Sequence, residues 1–135
     1  MDVVLLLIDP NKNISSYVLP LALRGHTILN IEDHVFMLIG GYTSRRGHIS
    51  KETFIKIGTM EWTEGPPLNI ARYWHTSGLI TDQITQKKSV VVVGGRTTGF
   101  QILTSIEILP LPLPMPDKLT DGQWQITGTT PNCFH

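Results

Sequence analysis

The hydrophobic positions along the chain fall in short runs separated by clusters of Gly, Pro, Asn and Asp. The runs Val35–Ile39 and 90–93 are each followed by a Gly-Gly pair, and both are too short for a helix. Because they are apolar at successive positions, we expect two strands buried on both faces. Thr53–Ile57 alternates, and 76–80 is short and mixed. No window of about 11 residues or more has helical periodicity, so the pattern predicts an all-β chain.

A further apolar run, residues 3–8, lies near the N terminus with no Lys or Arg before it. It is much shorter than the roughly 20 apolar residues of a membrane helix, so we interpret it as a buried strand. In the sequence, 11 basic side chains balance 11 acidic ones, which argues against nucleic-acid binding. The single cysteine, Cys133, cannot form an internal disulfide. We therefore expect a cytoplasmic protein that does not bind a membrane.

One order of residues occurs twice along the chain. Each copy has an Arg and a His, a hydrophobic run, a Gly-Gly pair, an alternating strand and a Trp. The second copy is longer, and we place its additional residues in loops, because insertions between strands leave the strands intact. The motif residues are Arg24, His26, Gly40, Gly41 and Trp62 in the first copy, and Arg72, His75, Gly94, Gly95 and Trp124 in the second.

This order resembles the kelch repeat of β-propeller proteins. The resemblance implies a partial kelch-type propeller with about two complete four-stranded antiparallel blades and part-blades at each end. Residues 1–23 would then hold the last strands of a preceding blade, and residues 130–135 would begin a further one. The two complete repeats would span 24–71 and 72–129, the second with a proline-rich loop at 110–121.

Blades of a propeller pack face to face, which assigns a structural role to most of the motif. We expect Trp62 and Trp124 to fill the wedge between blades, and the Gly-Gly pairs to allow a positive φ and close backbone approach. Arg24 and Arg72 would contact a neighbouring blade or face the central channel. The two motif histidines would hydrogen-bond nearby backbone. We expect no metal or other cofactor, because the spacings match no zinc, calcium or phosphate-loop pattern.

The proline-rich loop 110–121 has prolines at alternate positions instead of the PxxP spacing of an SH3 ligand. We predict a stiff, exposed loop between the last two strands of the second repeat. The alternative is a docking peptide.

The loops on one side of the predicted blades collect Arg and aromatic residues, which are enriched at interaction hot spots. We predict a non-catalytic interaction module that presents these loops to a protein or peptide, and acidic partners suit the arginines. The alternatives are a fragment of a kelch-propeller enzyme such as a copper-radical oxidase, or an unrelated small β-sandwich. The candidate partner-binding residues are Tyr42, Arg45, Arg46, Arg72, Tyr73, Arg96 and Phe100, and no residue is predicted to be catalytic.

Two repeats cannot close a ring of about four to eight blades. An open stack exposes apolar blade faces and unpaired strands. We therefore expect either a fragment of a longer product or self-association that completes the ring.

Overall fold

The computed structural model describes residues 4–8, 14–18, 23–43, 48–113 and 116–129. Most of them lie in strands, and the only helices in these ranges are two 3-10 helices, Thr98–Phe100 and Pro116–Asp121. The all-β prediction is confirmed. In chain order the strands are β1 (Val4–Ile8), β2 (Ile14–Val18), β3 (Leu23–Arg24), β4 (Thr27–Glu32), β5 (Val35–Ile39), β6 (Tyr42–Thr43), β7 (His48–Ile49), β8 (Thr53–Ile57), β9 (Thr63–Glu64), β10 (Thr76–Thr81), β11 (Lys88–Val93), β12 (Arg96–Thr97), β13 (Gln101–Ile102), β14 (Ser105–Pro110) and β15 (Gln125–Thr129).

Two four-stranded antiparallel sheets form the centre of the molecule. We call β4-β5-β8-β9 the first sheet and β10-β11-β14-β15 the second sheet. In both, neighbouring strands follow one another along the chain, and a small antiparallel pair is inserted between the second and third strands. These insertions are β6–β7, which also pairs with β3, and β12–β13. A separate hairpin, β1–β2, lies within residues 1–23.

The two sheets also share a pairing register. Leu38 pairs with Phe54 in the first sheet, and Val92 pairs with Glu107 in the second. Leu38 and Val92 lie at the same distance before the two Gly-Gly pairs, so Glu107 occupies the position that corresponds to Phe54. The additional residues of the second copy lie in the β10–β11 turn and the β14–β15 connection, as predicted.

The main hydrophobic core lies between the two sheets. One face of the first sheet packs against one face of the second, and burial of this apolar surface favours their face-to-face arrangement. A smaller cluster of Leu38 and Phe54, with Ile28 and Trp62 packed against it, covers the other face of the first sheet. The buried residues of the main core are Ile31, Met37, Ile39, Ile55, Leu68, Val90, Val92, Leu109, Leu119 and Trp124.

The prediction of strands buried on both faces is confirmed for the first sheet only. Residues 37–39 of β5 are all buried. In β11, Val90 and Val92 are fully buried, whereas Val91 and Val93 are only half-buried. Neither buried cluster of the described residues includes Val91 or Val93. The face of the second sheet that carries Val91 and Val93, its far face, is therefore less buried than the corresponding face of the first sheet, which the second sheet covers.

The proline-rich loop 110–121 joins β14 to β15, as predicted, but the prediction that it is simply exposed is wrong. Leu119 is buried in the main core, and Leu111 and Leu113 pack against it. The loop thus supplies apolar side chains to the core between the sheets. Residues 114–115 and 130–135 lie outside the described residues.

In the described ranges, no helix is long and apolar enough to cross a membrane.

Candidate interaction site

β3 pairs with the insertion of the first sheet, and the segment before β10 pairs with the insertion of the second sheet. The two segments therefore occupy corresponding positions. Arg24 pairs with Tyr42, and Tyr73 pairs with Arg96. Because Tyr42 and Arg96 each directly follow a Gly-Gly pair, Arg24 corresponds to Tyr73. Arg72, one residue earlier, corresponds to Leu23. The two arginines of the sequence motif are therefore not equivalent. The motif specifies the order of the residues, but not the number of residues between the arginine and the histidine.

Aromatic side chains and one arginine converge at this end of the molecule on a cleft of about 410 Å³. The ring centroids of Tyr42 and Tyr73 are 5.8 Å apart, and those of Tyr73 and Trp74 are 5.0 Å apart, both tilted. Such contacts favour a fixed ring arrangement. We call this site the aromatic cleft; its lining residues are Arg24, Tyr42, Ile49, Tyr73, Trp74, Gly99 and Phe100.

Two aromatic residues of the cleft are held in the left-handed region of the backbone. Trp74 has φ 55° and Phe100 has φ 61°. This conformation costs a bulky residue roughly 1–3 kcal/mol, and such strain is concentrated at functional sites. Both side chains are nevertheless exposed, Trp74 by 64% and Phe100 by 72%. The fold therefore holds two large apolar side chains toward solvent in a backbone conformation that glycine adopts more easily.

Gly25 provides the space for Trp74. The backbone N–H of Trp74 donates a hydrogen bond of 2.7 Å to the carbonyl of Gly25. A Cβ atom on Gly25 would lie 2.7 Å from Cδ1 of Trp74. Gly25, with φ 65°, occupies the position in the first copy that corresponds to Trp74. The two copies therefore share the backbone conformation but not the side chain.

Two arginines at this end of the molecule, Arg24 and Arg96, form no ion pair with a described carboxylate. Arg96 donates a hydrogen bond of 3.2 Å from Nη1 to the carbonyl of Phe100, which helps fix that loop. Arg24 is exposed and lines the cleft.

Arg72 is not a surface residue, so its prediction as a partner-binding residue is wrong. Its side chain is fully buried. Nη1 donates to the carbonyls of Gly94 and Ser105, and Nη2 donates to Oε2 of Glu107 at 2.7 Å. Desolvation lowers the pKa of Arg72, and the charge of Glu107 acts in the opposite direction. Arg72 belongs to the interior, where its guanidinium ties β14 to the end of β11.

Glu107 also binds the linker between the two sheets, residues 65–75. Its Oε1 accepts hydrogen bonds from the backbone N–H of Asn69 at 2.7 Å and from Nδ2 of the same residue at 3.1 Å. Its Oε2 accepts one from the N–H of Ile70 at 3.2 Å. The buried carboxylate thus fixes the linker that leads to Tyr73 and Trp74. The sequence signal was a lone acidic residue in an otherwise apolar strand, and our sequence analysis did not use it.

The motif histidines lie at corresponding positions before β4 and β10. Nε2 of His75 is 2.9 Å from Oγ1 of Thr27 on the neighbouring sheet, and its buried Nδ1 has no hydrogen-bond partner among the described residues. Burial, and then the charge of Arg72, lower the pKa of His75 to about 4. His75 is therefore a neutral, structural side chain. No cluster of three or more potential metal ligands occurs within the described ranges.

The two motif tryptophans directly precede the outer strands β9 and β15. Trp124 is buried between the sheets, and its Nε1 donates a hydrogen bond of 2.9 Å to the carbonyl of Pro66. Trp62 is half-buried on the other face of the first sheet. The predicted close approach at the glycines is confirmed: a Cβ atom on Gly40 or Gly95 would lie 2.7 Å from the carbonyl oxygen of Arg72 or Tyr73, respectively.

The predicted partner-binding residues thus have different locations. Tyr42, Tyr73 and Phe100 line the aromatic cleft, and Arg96 supports it. Arg72 is buried. The remaining two, Arg45 and Arg46, lie outside the described residues. Two further residues line the cleft but were not among the predicted partner-binding residues. We assigned Arg24 to the repeat motif. Trp74 could have been found because the first copy has glycine at the corresponding position.

A scan against protein families and a search of curated proteins find no match to this chain.

Proposed function

We propose that the chain is part of a kelch-type β-propeller and acts as a non-catalytic module that binds another protein through the aromatic cleft. The repeated order of Arg, His, Gly-Gly and Trp supports the kelch assignment. Two sheets of the same order and register, packed face to face, are the arrangement expected of neighbouring blades. The half-buried far face of the second sheet is consistent with a further blade packing there.

The observation that carries the binding proposal is the pair Trp74 and Phe100. Both are strongly exposed, both have positive φ, and both line one cleft. Trp, Tyr and Arg dominate the binding energy of protein interfaces because they combine large contact area with directed donors. An exposed apolar side chain on a strained backbone does not stabilise the free protein. A role in contacting a partner accounts for both the exposure and the strain.

Partner capture from a cell extract tests this proposal. We expect the double variant Trp74→Gly, Phe100→Gly to lose the partners that the wild type retains, because the two rings provide most of the contact surface. Glycine adopts positive φ without strain, so the backbone of this variant stays intact. The matched control is Ile84→Ala, which removes a 93% exposed apolar side chain from the β10–β11 turn, at the opposite end of β11.

Equal partner recovery with the wild type, the double variant and the control would remove the cleft as the binding surface. Loss of partners with Ile84→Ala alone would place the interface at the opposite end of the second sheet.

A further inference from the structure

The lining of the aromatic cleft combines two chemical types. Four rings, from Tyr42, Tyr73, Trp74 and Phe100, provide flat apolar surface, and Arg24 provides a positive charge. No described carboxylate pairs with that guanidinium. The insertion between β11 and β14, residues 94–104, contains Arg96 and no acidic residue in its sequence. A ligand that matches this lining has a neutral apolar part and a negatively charged part.

The charge of the cleft excludes one class of ligand that aromatic sites commonly bind. Ring faces attract ammonium groups through their negative quadrupole. Here Arg24 lies in the same lining and repels a cation, and Arg96 adds a second positive charge behind Phe100. An anion alone gains nothing from the ring faces. The rings therefore suit an uncharged group, and the guanidinium suits a carboxylate next to it.

The rings of the cleft favour a ligand that is already ordered. The ring of Trp74 is held against that of Tyr73, with centroids 5.0 Å apart, so this part of the cleft loses little freedom on binding. A flexible peptide loses more conformational freedom on binding than an ordered one. A proline-rich segment holds the polyproline II conformation before it binds, and its flat rings pack on Trp and Tyr side chains in aromatic-lined grooves.

We infer that the aromatic cleft binds a proline-rich peptide segment of a partner protein, with an Asp or Glu beside the prolines. The prolines pack on the rings of Tyr73, Trp74 and Phe100, and the carboxylate pairs with Arg24. This inference rests on the proposed function and adds the chemistry of the ligand.

Synthetic peptides of equal length test both parts of the inference. One peptide combines alternating prolines with an adjacent Asp, the second replaces the Asp by Lys, and the third keeps the Asp but replaces the prolines by Gly and Ser. Binding to the whole chain is measured by fluorescence anisotropy. We expect the first peptide to bind at least about tenfold more tightly than either of the others.

Variants of the protein then assign the contacts. Trp74→Gly, Phe100→Gly is expected to weaken the proline-Asp peptide by about tenfold or more. Arg24→Glu is expected to reverse the charge preference, so that it binds the proline-Lys peptide more tightly than the proline-Asp peptide. A purely structural role of Arg24 would lower both affinities and leave the preference unchanged. Ile84→Ala is expected to bind all three peptides like the wild type.

The outcomes separate the two proposals. Equal binding of the Gly-Ser and proline peptides overturns the proline part of the inference, and an unchanged charge preference of Arg24→Glu overturns the carboxylate part. If either occurs while Trp74→Gly, Phe100→Gly still loses its protein partners, only the ligand chemistry is wrong. If partner capture does not depend on these two rings, the proposed function itself is wrong.

Discussion

The first and second sheets have the same strand order and register, yet they place different chemistry at corresponding positions. Phe54 in the first sheet corresponds to Glu107 in the second, and Leu23 corresponds to Arg72. At these two positions the first copy has apolar residues, and the second copy has the two members of a buried ion pair. The pair is accommodated because the linker amides donate to the carboxylate and the carbonyls of Gly94 and Ser105 accept from the guanidinium.

Two sheets with the same strand order and register can therefore bury different kinds of side chain. In the first sheet, Phe54 and Leu38 form a small apolar cluster. In the second, Glu107 fixes the linker that carries Trp74 to the aromatic cleft. The ion pair therefore connects the packing of the second sheet to the position of the candidate site.

Removing one partner of the buried ion pair has the largest expected effect. Glu107→Ala leaves the Arg72 guanidinium buried without its counter-charge and should lower the free energy of unfolding by about 3–5 kcal/mol in urea denaturation. The corresponding change in the first sheet, Phe54→Ala, removes only apolar contacts.

The double variant Arg72→Leu, Glu107→Phe converts the pair to the corresponding residues of the first copy, Leu23 and Phe54. It should be less destabilised than Glu107→Ala, because no charge stays buried. If the double variant is the less stable of the two, the ion pair does not act as a unit.

Burial of corresponding positions in β5 and β11 gives the second prediction. Met37 is fully buried and Val91, at the same register position, is half-buried. Met37→Ala should lower the free energy of unfolding by about 2–4 kcal/mol, and Val91→Ala by less than about 1 kcal/mol. Urea denaturation measures both. Equal losses would mean that something covers the far face of the second sheet, and light scattering would then show whether a second copy does so.

Acidification provides the third prediction. The pKa of His75 is about 4 in the folded chain, below its ordinary value of 6.5. The unfolded chain therefore binds more protons between these two pH values, and stability falls as the pH decreases from 6.5 toward 4. The full loss is about 3 kcal/mol. Urea denaturation at a series of pH values should show this slope, and His75→Gln should reduce it. His34→Asn, a change in an exposed turn, should not.

The smallest effect is expected at Trp74 itself. Trp74→Gly relieves roughly 1–3 kcal/mol of backbone strain, which offsets the lost ring contact with Tyr73 and the flexibility of glycine. The free energy of unfolding should change by less than about 1 kcal/mol. The opposite change in the first copy, Gly25→Ala, should destabilise the chain, because its φ is positive and the new Cβ meets Trp74. Thermal unfolding measures both variants.

The local residue pattern is sufficient to predict the main strands. Short apolar runs followed by glycine pairs predicted the positions of β5 and β11. Because the sequence lacks helical periodicity, we predicted no long helix. These features depend on backbone preferences and on neighbours a few residues apart, which a sequence displays directly. The glycine pairs also predicted backbone positions with positive φ, because other residues rarely adopt that conformation.

Only the tertiary structure decided which side of each element is buried and which side chains meet. From the sequence we placed Arg72 at the surface, whereas in the fold Glu107 of β14 pairs with it and the carbonyls of Gly94 and Ser105 accept its hydrogen bonds. Val91 and Met37 have equivalent places in their strands, and a neighbouring sheet covers only one of them. The aromatic cleft joins side chains from β3, β6, the linker and the loop after β12, so its chemistry depends on long-range packing that no local pattern encodes.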